Sequence, residues 1–280
     1  MTLRQRRAVK RALLLYVPLA LFLTFTLAPF YWIFVTSLKE AREVFAVPLT
    51  YWPQLPTLEN YANLFVNLGF GRYFCNSFTV SISVTAIVTL LALTGGYAMS
   101  RYSFKGKMAV YVVLLCTQMF PAVVLMIPLF RIMNGLRLIN NLLSLIIIST
   151  CTNLPFCMFM MMGYYNSIPR SLEEAAQVDG CSLLSAVFRV VLPTMKPSVV
   201  ATGAYAFINS WNVFVYASAF ITRKEFYTVP LGLNMFKGEF STNYGGLAAG
   251  CVLALAPVLV IFAFVQKHLT GGMTAGAVKG

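Results

Sequence analysis

Two sets of residues in this 280-residue chain have the types and spacing to do chemistry. The first is acidic. The chain has eight Asp and Glu residues, and three of them, Glu173, Glu174 and Asp179, fall in SLEEAAQVDGCS, residues 171–182. Carboxylates gathered this closely either hold a helix end or present charge to a partner. The second set is uncharged. In PSVVATGAYAFINSWNVFVYASAF, Ser198, Thr202, Tyr205, Asn209, Asn212 and Tyr216 recur at steps of four and three residues, the period of one helix face. Amides and phenols on one face bind a hydroxyl-rich solute, and they equally serve hydrogen bonding between membrane helices. Both readings stand on the sequence.

Equipment for other chemistries is missing. No G-x-x-x-x-G-K-[ST] occurs, so the chain has no P-loop for ATP. The one histidine, His268, lies just past the last apolar run. No carboxylate lies inside an apolar run, which leaves a membrane hydrolase, a metalloenzyme or a proton-coupled carrier without its working groups. The cysteines, Cys75, Cys116, Cys151, Cys157, Cys181 and Cys251, form no C-x-x-C pair and read as packing residues. No catalytic residue, metal site or cofactor of its own is expected.

The elements that must position these residues follow from composition. The chain is 59% hydrophobic and 10% charged, against about 25% charged in a soluble domain. Six stretches carry no Lys, Arg, Asp or Glu: 12–38, 73–100, 108–130, 138–169, 197–222 and 240–266. Each reaches the ~20 residues a helix needs to cross a bilayer. None alternates as a barrel strand would. The expected fold is an all-α integral membrane protein of six transmembrane helices. The run after MTLRQRRAVKR is too long for a signal peptide and reads as a retained first helix. The domains are an N-terminal tail (1–11), a membrane domain (12–266) and a C-terminal tail (267–280).

The net charge of +13 is explained by topology, with no need of nucleic acid. With the N-terminus inside, the inner segments hold 13 of the 21 basic residues. The positive-inside rule then places both termini in the cytoplasm and the acidic stretch in the third inner loop. There, Pro169 ends the fourth run. Ser171 and Glu174 have capping-box spacing, and Gly180 suits a helix end. A second helix follows from Ser182, with an apolar face of Leu184, Val187, Phe188 and Val191 and a stop at Pro193. Asn76, Gln118 and Asn153 read as isolated packing residues, and Gly246 and Gly250 as a G-x-x-x-G close-packing pair.

The run EEAAQVDGCSLLSAVFRVVLPTMKP, residues 173–197, resembles the EAA loop of binding-protein-dependent ABC importer permeases. FYWIFVTSLK, PTLENYANLF, NSFTVS, YAMSRYSFKGK, Trp211–Asn212 and the terminal GAVKG are similar to the maltose and glycerol-3-phosphate branch. The resemblance spans nearly the whole chain, with Cys181 standing where Ala is common. It implies a non-enzymatic permease subunit in a bacterial or archaeal cell membrane. Its partners would be a second homologous permease, two ATP-binding subunits that carry ATP and Mg, and an extracytoplasmic sugar-binding protein. It implies that the loop at 170–197, between helices 4 and 5, couples to the ATPase through Glu173, Glu174, Ala175, Ala176, Asp179, Gly180, Leu192, Pro193 and Pro197. Tyr205, Asn209, Asn212 and Tyr216 would line the substrate path. Glu239, Ser241, Asn243 and Tyr244 would meet the binding protein. A glycerol-3-phosphate or polyol importer, an ion-coupled secondary carrier and a membrane scaffold are the alternatives.

Overall fold

The computed structural model describes the backbone of residues 3–238 and 242–276 and the side chains of 13–238 and 242–267. In chain order its principal helices are α1 (Leu3–Ser37), α2 (Glu59–Val66), α3 (Phe70–Arg101), α4 (Lys107–Gln118), α5 (Ala122–Gly135) and α6 (Leu142–Ser167). They continue as α7 (Ser171–Val178), α8 (Leu183–Thr194), α9 (Lys196–Trp211), α10 (Val215–Phe220) and α11 (Tyr244–Gly276). Among the described residues the one strand-like pairing is an isolated bridge between Lys237 and Thr242. Four helices are long and apolar enough to cross a membrane, and up to six spans result if each of two bent pairs is one span.

The chain divides into two compact units, Met1–Gly69 with Met235–Leu255, and Phe70–Asn234 with Ala256–Gly280. In the first unit, α1 is strongly apolar over Leu13–Ser37, and its hydrophobic stretch is unburied. The chain after it is pinned locally. Lys39 is buried, donates from Nζ to the Thr50 carbonyl and sits 4.9 Å from the Trp32 ring centroid. Asn60 of α2 donates to the carbonyls of Ser37 and Lys39, each at 2.9 Å. At the start of α11, a Cβ on Gly246 would lie 2.5 Å from the Phe236 ring. This glycine therefore admits a neighbouring loop aromatic, where the G-x-x-x-G reading predicts another helix.

The second unit is built on α3, α6 and α9. Val80, Val84, Val88 and Ala92 recur every fourth residue on α3 and are fully buried. They form one core with Leu145, Ile148, Cys157 and Met161 of α6. The other side of α3 exposes Ile82, Leu90 and Leu91, as a lipid-facing surface does. Near the end of α3 a Cβ on Gly96 would meet the Met161 Cβ at 2.7 Å and the Met162 nitrogen at 3.0 Å. Only glycine lets the two backbones approach this closely. Thr202 of α9 donates to the Met161 sulfur at 3.3 Å, joining the third helix to the pair.

The structure departs from the expected straight helices at three places. The third apolar run is two helices, α4 and α5, bent by 103° between Gln118 and Ala122. Pro121 sits in the break with extended backbone; it has no N–H to continue the ladder, and it disfavours helix in the residue before it. In the fifth run, α9 stops at Trp211, and Tyr216 belongs to the separate helix α10. The six-residue polar ladder is thus not one uninterrupted helix face. Lastly, Pro193 does not stop the helix that follows Ser182. That helix takes a π-helical turn at Val187–Val191 and runs to Thr194. The chain then turns by 80° at Met195 into α9.

Candidate functional site

Two polar constructions stand out in the second unit. One is a cavity of about 290 Å³. Its walls carry Gln118, Ser149, Thr152, Asn153, Tyr205, Asn209, Asn212 and Tyr216, with the backbone stretch Val213–Val215. Every lining side chain is uncharged. Both helix breaks open onto it, the first through Gln118 and Ala122, the second through Asn212, Val213 and Phe214. Of the four lining amides, Gln118 reaches across to donate from Nε2 to the Thr152 carbonyl of α6 at 3.3 Å, and the other three are held by their own helices. Asn209 Nδ2 donates to the Tyr205 carbonyl at 3.0 Å, Asn212 Nδ2 to the Ile208 carbonyl at 2.9 Å, and Asn153 Nδ2 to the Ser149 carbonyl at 2.7 Å. These bonds fix the amides without neutralising a charge. A neighbouring, mostly apolar cavity of about 400 Å³ shares Gln118, Ala122, Thr152 and Tyr216.

The cavity brings together Tyr205, Asn209, Asn212 and Tyr216 as sequence spacing suggested, despite the break between α9 and α10. It excludes Thr202, which is fully buried, and Ser198. It adds Gln118 and Asn153, which sequence reasoning assigned to packing. Their only signal was a polar residue alone in an apolar run. Beyond α10 the chain is tied to the turn before α6: Asn140, in a left-handed conformation, accepts from the N–H groups of Thr222 and Arg223 at 2.7 and 2.9 Å.

The second construction lies where α3, α6 and α7 meet. Arg101, the last residue of α3, donates from Nε to Glu173 Oε1 at 2.7 Å. Tyr97 donates its hydroxyl to Glu173 Oε2 at 2.9 Å. The Arg101 guanidinium also donates to the Ile168 carbonyl at the end of α6, at 3.0 Å. Arg170, just before α7, returns a bond to the Arg101 carbonyl at 2.9 Å. Ser100 and Asn166 join side chains at 2.6 Å. Both members of the ion pair are 7% exposed. The other two ion pairs among the described residues, Arg42–Glu40 and Arg223–Glu225, are largely open to water.

This arrangement revises the capping box. α7 is capped by Arg170, with no side-chain cap bond. The Arg170 carbonyl receives the N–H groups of Glu173 and Glu174, and Glu173 is taken by Arg101. The expected end at Gly180 is observed. Gly180 has φ +88°, its N–H bonds the Gln177 carbonyl, and the Cys181 N–H bonds the Ala176 carbonyl, a Schellman closure. Of the acidic segment, Glu173 and Ala176 face inward, while Glu174, Ala175, Asp179 and Gly180 are exposed. Beside them Val178, Leu184 and Phe188 are 88%, 70% and 64% exposed. Leu192 and Pro197 are half-buried, and Pro193 is exposed.

Glu239 and Ser241 lie outside the described residues. Asn243 is exposed and accepts from the Gly246 N–H at 2.9 Å, so it caps α11. Tyr244 is also exposed and stands edge-on to Phe45.

Binding-protein-dependent transport system inner membrane components match residues 89–274. The sulfoquinovosyl glycerol transport system permease protein SmoH of Agrobacterium fabrum is 35% identical over 265 residues, covering 95% of this chain and 93% of that protein. The arabinooligosaccharides transport system permease protein AraQ of Bacillus subtilis is 33% identical, covering 91% of each chain. Among solved structures, a chain of a bacterial ABC transporter that imports the acidic polysaccharide alginate superposes with a TM-score of 0.79. It is 23% identical and covers 95% of this chain and 98% of that one.

Proposed function

This chain belongs to the family of binding-protein-dependent transport system inner membrane components, and from that membership we propose that it is the permease subunit of an ABC importer for a sugar or oligosaccharide. The observation that carries the substrate class is the uncharged cavity. Its amides and phenols pair with hydroxyls, and its aromatic rings stack on sugar faces. The relative AraQ, whose name specifies an oligosaccharide substrate, supports the same class. A phosphate ester or free acid would call for a cation, which no lining residue supplies.

In this reading the chain spans the membrane six times with both termini in the cytoplasm. It pairs with a second, homologous permease, and two ATP-binding subunits hold ATP and Mg and perform hydrolysis. α7 is the coupling helix. Its exposed Glu174, Ala175, Asp179 and Gly180, with apolar Val178, Leu184 and Phe188 alongside, make a charged and greasy knob suited to a cleft in the ATPase. Leu192, Pro193 and Pro197 shape the return into the membrane. Tyr205, Asn209, Asn212 and Tyr216 face the passing sugar, and the segment containing Glu239, Ser241, Asn243 and Tyr244 meets the extracytoplasmic binding protein. ATP-driven closure of the ATPases moves α7 and alternates access to the cavity.

A pull-down from detergent, with this chain as bait, tests the assignment against a Gly180→Pro variant. Proline fixes φ near −65°, against +88° in the structure, and so unmakes the knob. The expected result is a second permease in both samples and a P-loop ATPase in the wild type alone. A chain that purifies by itself and takes up solute in vesicles under an ion gradient would make it a secondary carrier and overturn the proposal.

A further inference from the structure

We propose that the buried Arg101–Glu173 pair is a mechanical strut, and that Glu173, Arg101 and Tyr97 are positioning residues that transmit movement of α7 to the cavity-forming helices. The inference rests on reading α7 as the coupling helix. It adds what that reading lacks, a rigid connection from the docking surface to the membrane. The doubled glutamate divides the labour: Glu174 points out, and Glu173 points in.

The placement of the pair argues for force-bearing. Arg101 ends α3 and Glu173 lies in the first turn of α7. Each charge therefore sits at the helix end whose dipole favours it. The Arg101 guanidinium reaches the terminal carbonyl of α6, and Arg170 reaches the terminal carbonyls of α3 at 2.9 and 3.4 Å. The ends of three helices thus share one network, and both Glu173 oxygens are engaged. Just inside it, Gly96 brings α3 and α6 into backbone contact and Tyr97 stands edge-on to Tyr165 at 5.3 Å. A displacement of α7 has no soft joint in which to dissipate before it reaches α3 and α6. From there, α6 contributes Ser149, Thr152 and Asn153 to the cavity wall. Along the other route to the cavity, α8 meets α9 at an 80° turn, a geometry that can bend.

The experiment uses the assembled complex in proteoliposomes with its binding protein, and reads uptake per ATP hydrolysed in Glu173→Gln, Arg101→Gln and the double variant. The wild type must first carry its ATPase; absence of an ATPase there would sink the coupling reading itself and is scored separately. With the strut real, all variants retain the ATPase through purification. Each single variant then lowers uptake per ATP about tenfold, and the double falls no further, because two ends of one link are non-additive. The double variant leaves no buried ion, so it keeps the test readable if Arg101→Gln alone inserts poorly. Three results overturn the strut. Uptake and hydrolysis falling in proportion would make the pair a folding element. A double variant worse by about 100-fold would make the two residues independent. Loss of the ATPase in Glu173→Gln would place Glu173 in the docking surface.

Discussion

The cavity and the three-helix junction are both polar islands in an apolar unit, and they use polarity in opposite ways. At the junction the groups carry full charge, exclude water and satisfy one another across three helices. In the cavity the groups are neutral, and the three asparagine amides bond back to carbonyls of their own helices. A buried ion pair is costly to disturb, since removing one partner strands a charge, at about 3–5 kcal/mol. A neutral amide releases and re-forms hydrogen bonds for about 0.5–1.5 kcal/mol. The first arrangement suits a part that must not yield, and the second a surface that must let each ligand go.

The largest effect that would break this contrast lies beside the junction. Gly96→Leu introduces a Cβ 2.7 Å from the Met161 Cβ and 3.0 Å from a backbone nitrogen. α3 and α6 must separate, with an overpacking penalty of about 1–3 kcal/mol. The expected outcome is a lower melting temperature in detergent and loss of the Arg101–Glu173 geometry. By comparison, a Cβ on Gly180 meets nothing within 4 Å, so Gly180→Ala carries only the left-handed backbone cost of about 1–2 kcal/mol. Equal melting temperatures for Gly96→Leu and the wild type would show that the helices are not in the close contact described.

Next in size are the cavity amides. Asn209→Ala or Asn212→Ala removes a neutral hydrogen-bonding group, and each is expected to slow uptake at saturating substrate by roughly 2–10-fold. Melting temperature should stay near wild type, because neither amide ties one helix to another. A large fall in melting temperature with unchanged uptake would turn these residues into packing groups. Tyr97→Phe is smaller. It deletes one of the two side-chain bonds to Glu173 and keeps the ion pair, so uptake per ATP should drop about two- to threefold. A drop as large as that of Glu173→Gln would mean that the tyrosine, and not the charge, carries the link.

Much of the molecule was legible in the sequence because bilayer spans need long charge-free runs, and polar faces keep the helical period. Both signals are local. The fit of Tyr205, Asn209, Asn212 and Tyr216 around one cavity came from that period, and the Gly180 closure from the backbone demand of one turn. What escaped was non-local. Glu174 was spaced to help cap its own helix and Glu173 was grouped with it in the coupling set, yet the partner of Glu173 stands 72 residues away on α3. The available sign was an arginine closing a charge-free run opposite a doubled glutamate. The bend before α5 had a visible cause in Pro121. The break after Trp211 had none, since N-V-F contains neither Gly nor Pro. Gln118 and Asn153 looked isolated because their neighbours in the cavity lie on other helices.

The smallest predicted effect sharpens the contrast from the first unit, where charge meets water. Glu43 accepts from the Thr50 hydroxyl at 2.8 Å and the Gln54 N–H at 3.0 Å. Burial raises its pKa, but the Gln54 and Thr50 bonds and the Lys39 charge outweigh this and hold the carboxyl below its ordinary value of 4.5. A depressed carboxylate stabilises the folded loop above its ordinary pKa, and the contribution disappears as pH falls through the lower folded value. The segment 39–57 should therefore resist protease evenly from neutral pH down to about pH 5 and loosen only in stronger acid. Glu43→Gln should be looser throughout and flat with pH, because it has no charge to lose. Superimposable pH profiles for the two would show that this carboxylate holds nothing.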